Sequence, residues 1–220
     1  MGARPSVQKG CVTLRDRYDR LKPYELDVLR EVTNIGAGNA ATALADILSD
    51  RVSMTVPILQ ILDINDIADI LGGPENEVVG ILLSMTNDLD GMLMFVLEKQ
   101  FTHDILGVLL GKQITSFEEV DEMDMSALRE IGNIIAGSYV NALSELTQLD
   151  IRISPPELAI DMAGAILSYP ATLFGTMGDK VLFVREDFDS GNQRVTCHLL
   201  IMPQPDSLKL MMSRLGVSDE

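Results

Sequence analysis

Two carboxamides in this chain each stand near a carboxylate at the same spacing, Glu31 with Asn34 and Glu130 with Asn133. On a helix, positions i, i+4 and i+7 lie within roughly 60° of one another. Asp27, Glu31 and Asn34 would then share one stripe, and Ser126, Glu130 and Asn133 another. A carboxamide is no base at neutral pH, but it donates and accepts hydrogen bonds and so can hold a water. Orienting water matters most when the substrate is already activated. Phosphoryl transfer is such a case, because positioning and charge neutralisation carry nearly all of the catalysis. Other chemistries find less support: there is no Ser–His, Cys–His or HExxH arrangement, and neither histidine has a partner nearby in sequence. A single Glu on a polar helix face is usually only solvated, and a mid-helix Asn is often incidental. Recurrence lifts the pair above that reading.

The recurrence is part of a longer repeat. With residue n placed over n+99, nine of 16 positions between Leu29–Leu44 and Leu128–Leu143 are identical, and Pro57 falls on Pro156. Each half opens on a long helical stretch, 24–49 and 122–148, which must carry the polar stripe. An extended segment follows at 51–62 and 150–161, then a short helical or irregular piece at 64–72 and 162–175. Two apolar β-type runs come next, 77–86 with 91–98 and 180–186 with 194–202, and a short amphipathic helix closes each half at 99–111 and 206–215. Asn87 to Gly91 and Asp187 to Asn192 have turn chemistry and predict hairpins. The expected class is therefore α+β, one domain of two pseudo-symmetric helix–strand–strand–strand–helix halves around an antiparallel sheet. No linker separates the halves, and ~100 residues per half is small for two independent cores. Gly38 and Gly137 recur inside the helices, where Gly costs about 1 kcal/mol relative to Ala, so close approach of another backbone is expected there.

Composition narrows the function classes. The 220 residues are 46% hydrophobic and 23% charged, enough apolar material for a sizeable core. No uncharged apolar run approaches the ~20 residues of a membrane span, no secretory leader is visible, and a cytoplasmic location is expected. Cys11 and Cys197, with no CxxC, argue against a disulfide scaffold and a zinc site, so no metal of its own is expected. The net charge is −16, with residues 1–22 at +4 and the remainder at −20. Such a body repels nucleic acid and free phosphorylated metabolites, yet can associate with a partner that presents a basic face.

The segments Glu31–Ala43 and Leu128–Ile134 resemble the CheC-type chemotaxis phosphatases. That family's signature is Asp or Ser, three residues, Glu, two residues, Asn, 22 residues and Pro. Asp27, Glu31, Asn34 and Pro57 satisfy it, and Ser126, Glu130, Asn133 and Pro156 satisfy it again. The resemblance covers about 23–216, with repeats at about 23–112 and 121–216, and leaves 1–22 as an N-terminal extension expected to be flexible. It implies hydrolysis of the aspartyl phosphate on the response regulator CheY. In the family the Asn orients the attacking water and the Glu engages a lysine of the regulator, whose own magnesium serves the reaction. The prolines are expected to be structural, marking an edge or bend. Asp27 and Ser126 are expected to cap or orient the helix turn. Some members bind the receptor deamidase CheD, which would place that contact here at Asp161, Met162 and Ile166. The chain is expected to act as a monomer. Alternatives are a FliY-type flagellar switch phosphatase, against which the end at Glu220 is read, a one-helix CheX relative, and a non-catalytic adaptor for CheD or CheY.

Overall fold

A computed structural model of the chain describes residues 18, 21–48, 51–174, 180–190 and 193–217. The first half runs α1 (Pro23–Leu48), β1 (Val52–Met54), β2 (Ile58–Asp63), α2 (Ile64–Ile70), β3 (Glu77–Asn87), β4 (Gly91–Leu97) and α3 (Lys99–Leu110). After a 3-10 turn at Phe117–Glu119, the order repeats. It continues as α4 (Glu122–Thr147), β5 (Ile151–Ile153), β6 (Glu157–Met162), α5 (Ala163–Phe174), β7 (Lys180–Ser190), β8 (Gln193–Pro203) and α6 (Pro205–Arg214). Of the expected N-terminal extension only Tyr18, Leu21 and Lys22 are described, and Tyr18 is buried in the core.

The eight strands form one antiparallel sheet in the order β1-β7-β8-β4-β3-β5, with β2 also paired to β7 and β6 to β3. Each half therefore lends its first, broken strand to the other half. β4 and β8 meet in the centre, where Phe95 pairs with Leu199. Neither half closes its own sheet, so the two repeats make one α+β domain. The 99-residue offset holds from α1 and α4 to the starts of α2 and α5. It becomes 103 at β3 and β7, which begin at Glu77 and Lys180.

Side chains along a strand alternate between the two faces of the sheet. On one face Ile81 packs into Gly132 of α4, where an added Cβ would stand 2.7 Å from Ile81 Cγ2. Phe95 meets Tyr139 of α4 there, with ring centroids 6.4 Å apart. On the other face Gly80 makes room for Ile166 of α5. α1 and α4 lie side by side: a Cβ on Gly36 would stand 2.5 Å from Tyr139 Cδ1. The repeated glycines behave otherwise. Nothing lies within 4 Å of a Cβ built on Gly38 or Gly137, so the close approach expected at that pair is instead made at the unrepeated Gly36 and Gly132.

One further finding departs from the sequence reading, and a second goes beyond it. The turn expected over 187–192 is shorter, because β7 continues through Ser190. Phe188 is buried there, and Asp187 accepts from Thr196 Oγ1 at 2.8 Å, which keeps the ladder intact. Glu186, at the end of the β-type run 180–186, is 1% exposed and faces the helices beside Cys197. Neither carboxylate oxygen has a hydrogen-bond partner among the described residues, and burial lifts the pKa from 4.5 to about 8.

Candidate functional site

The helices that bear the polar stripes are anchored one turn before them. In α1 the buried Glu25 accepts the backbone N–H of Lys22 at 2.6 Å. At the corresponding point of α4, Asp124 accepts the N–H of Asp121 at 2.9 Å, while Asp121 accepts from Met123 and Asp124 in a capping box. Lys112 closes this corner by pairing with both Asp121 and the buried Asp124. Capping thus falls to Glu25, Asp121 and Asp124 rather than to Asp27 and Ser126. Asp27 instead binds Arg30 at 2.7 Å on the exposed face.

Beyond the anchors the stripes emerge into solvent. Asp27 and Glu31 are exposed and Asn34 is half-buried, while Ser126, Glu130 and Asn133 are all exposed. Each stripe is headed by a large apolar residue facing water, Tyr24 at 46% and Met123 at 68% exposure. Each runs on into an open glycine, Gly38 or Gly137. Sequence reasoning did not weigh Tyr24 and Met123, although the two fall at the repeat offset.

The signature proline has a geometric reason. From Asn133 the helix continues ~21 Å to Thr147, at 1.5 Å per residue. The strand from Leu149 to Pro156 returns about the same distance at ~3.3 Å per residue. Pro156 therefore comes back level with the motif. Between Ile153, opposite Met85, and Glu157, opposite Leu82, three residues face two, which is a bulge. The same count recurs between Met54, opposite Phe188, and Ile58, opposite Arg185. Proline lacks an N–H and fits an edge-strand bulge without breaking the ladder. In the second half the bulge forms one wall of a groove of about 420 Å³, and α4 forms the other. Ser126, Glu130, Asn133 and Pro156 all line it, together with Arg129 and Ser154. All four positions of the second signature meet in one place.

Such a groove offers a water-holding carboxamide, a carboxylate able to engage a cation, and a guanidinium. Among the described residues covalent chemistry has no comparable setting. His198 Nε2 meets Glu98 at 2.9 Å, and that hydrogen bond lowers the Glu98 pKa, but Nδ1 finds no partner among the described residues. The adjacent Cys197 points to the opposite face, where burial raises its pKa. Among the described residues no cluster of three or more His, Cys, Asp or Glu could hold a metal ion, and no helix is long and apolar enough to cross a membrane. Of the residues expected to face CheD, Asp161 and Ile166 line a separate groove of about 320 Å³ with Leu158 and Tyr169. Met162 beside it is 47% exposed.

Known proteins share this arrangement. The sequence profile of the CheC-like family matches residues 25–61 and 123–160, the two helix–bulge units just described. CheY-P phosphatase CheC of Bacillus subtilis (strain 168) is 35% identical over 205 residues, covering 91% of this chain and 98% of that protein. The flagellar motor switch phosphatase FliY of the same organism is 28% identical over 143 residues, which is 64% of this chain and 37% of FliY. Among solved structures, Thermotoga maritima FliY superposes with a TM-score of 0.72 at 28% identity, over 91% of this chain and 100% of that one. With the repeated motif, the exchanged-strand sheet and near full-length identity in agreement, the chain belongs to the CheC-like family.

Proposed function

We propose that this protein hydrolyses the aspartyl phosphate of the response regulator CheY, with Asn34 and Asn133 each orienting the attacking water. The observation that carries the reading is the groove that gathers Ser126, Glu130, Asn133 and Pro156 on an accessible surface. It is open enough for a protein-borne phosphoryl group and holds the residue types that positioning requires. The carbonyl and amide of the Asn fix the water's lone pair in line with the phosphorus. Glu31 or Glu130 pairs with a lysine of the regulator and fixes the docked geometry. The divalent cation comes with the substrate in this reading. The matching B. subtilis relative is itself named a CheY-P phosphatase, which supports the substrate class.

A second surface has its own observation. The groove at Asp161 and Ile166 lies on α5 and β6, outside the motif, and fits the CheD contact that the family resemblance implies. Catalysis and CheD binding then use different faces. The deciding experiment is decay of phosphorylated CheY at substoichiometric protein. Multiple turnovers are expected, whereas stoichiometric protection or an unchanged decay would make the chain a binding module.

A further inference from the structure

The two signature sites differ in one electrostatic detail. Arg30 and Arg129 are equivalent in the repeat, each preceding the signature Glu. Arg30 is held by Asp27 at 2.7 Å, with both side chains exposed. The position of Asp27 is occupied by Ser126 in the second half, which offers no carboxylate. Arg129 makes no ion pair or hydrogen bond among the described residues, and it lines the groove beside Glu130 and Asn133. A guanidinium supplies a fixed fork of donors suited to phosphoryl oxygens and keeps its charge at any relevant pH. On a surface of net charge −16, an uncommitted cation is also what an anionic group needs in order to approach.

We propose that Arg129 contacts the phosphoryl oxygens during hydrolysis at the second site, and that the residue at the first signature position sets whether this arginine is available. Ser126 leaves Arg129 free, and Asp27 occupies Arg30. The second site is thereby the faster one. This rests on the phosphatase reading above.

The test uses the full chain with Asn34→Ala silencing the first site, and follows decay of phosphorylated CheY. Removing a charge-assisted contact made in the transition state should lower kcat by about 10- to 100-fold in Arg129→Ala. Arg129→Lys should recover part of that loss, because the charge stays while the fork is lost. Ser126→Asp, which rebuilds the Asp–Arg pair, should lower kcat about fivefold and Ser126→Asn by less, as an exposed pair is worth up to ~1 kcal/mol. In the Asn133→Ala background, Asp27→Ser should raise the first site's rate by a similar factor. A rise in KM with kcat unchanged in Arg129→Ala would mean that the arginine touches only the regulator's carboxylates, and would overturn the proposal. So would a kcat within twofold of the parent. If the parent itself fails to accelerate decay while wild type succeeds, the second site is not catalytic and the proposal falls with it. If wild type also fails, the phosphatase reading is what has failed.

Discussion

Glu186→Gln should make the fold markedly more stable at pH 8 than at pH 5, relative to wild type. Glu186 sits 1% exposed with neither oxygen hydrogen-bonded among the described residues, and its pKa is raised from 4.5 to about 8. In the unfolded chain the carboxyl ionises near its ordinary value, whereas in the folded protein it keeps its proton until about pH 8. Between those values folding takes up a proton, so this group's contribution is fully present below about pH 4.5 and is lost progressively as pH rises to about 8. At ~1.4 kcal/mol per unit, the loss by pH 7 is on the order of 3 kcal/mol. About 0.8 kcal/mol of that is already lost at pH 5, and for a chain of this size ~1 kcal/mol moves Tm by about 2–4 °C, so the gap between variant and wild type should widen by roughly 5–10 °C from pH 5 to pH 7. Gln keeps the shape and cannot ionise, which isolates the titration from the carboxylates that both proteins share. Thermal melts followed by circular dichroism at half-unit steps from pH 4.5 to 8.5 provide the measurement. A difference between the two proteins that does not vary with pH would refute the burial of an unpaired carboxyl at this position.

Other expectations follow from contacts already described. Gly36→Ala drives a Cβ to 2.5 Å from Tyr139 and should destabilise by about 1–3 kcal/mol, whereas Gly38→Ala meets nothing within 4 Å and should stabilise by up to ~1 kcal/mol in chemical denaturation. Equal effects would contradict the packing of α1 on α4. Charge reversal at Asp161 should weaken binding of CheD in titration calorimetry by at least several-fold while Asn34→Ala and Asn133→Ala leave the affinity unaltered, and an undiminished affinity would place that contact elsewhere.

Element types and order were legible in the sequence because each follows from a local pattern. The helices predicted over 24–49 and 122–148 are found at Pro23–Leu48 and Glu122–Thr147, and the prolines do mark bends. What stayed hidden is non-local. Nothing in the pattern of 51–62 says that its strand pairs with β7 of the other half. Gly38 and Gly137 repeat, and repetition alone cannot tell a glycine against a neighbour from one facing open space. The run Arg185-Glu186-Asp187 is charged throughout, and only the register puts Glu186 opposite Cys197 on the helix-covered face. At the candidate site, spacing placed Glu31, Asn34, Glu130 and Asn133 on matching helical stripes. That Arg30 pairs with Asp27 while Arg129 lines the groove depends on where a flexible side chain reaches, and that takes coordinates.

The central claim is that the two asparagines carry the chemistry, each orienting a water at its own site. An oriented hydrogen-bonding group of this kind is worth about 10²-fold in rate, roughly 2.7 kcal/mol. Asn34→Ala should therefore leave the activity of the second site and Asn133→Ala that of the first, since the signatures lie on separate helices. Asn133 is exposed and Asn34 half-buried, and surface substitutions of this type usually shift stability by about 0.5 kcal/mol or less, so the variants should remain folded. The most direct measurement is the decay of phosphorylated CheY with wild type, both single variants and the double variant, with circular dichroism as the folding control. The folded double variant should fall to the spontaneous dephosphorylation rate. Acceleration equal to wild type by that same folded double variant would contradict the account.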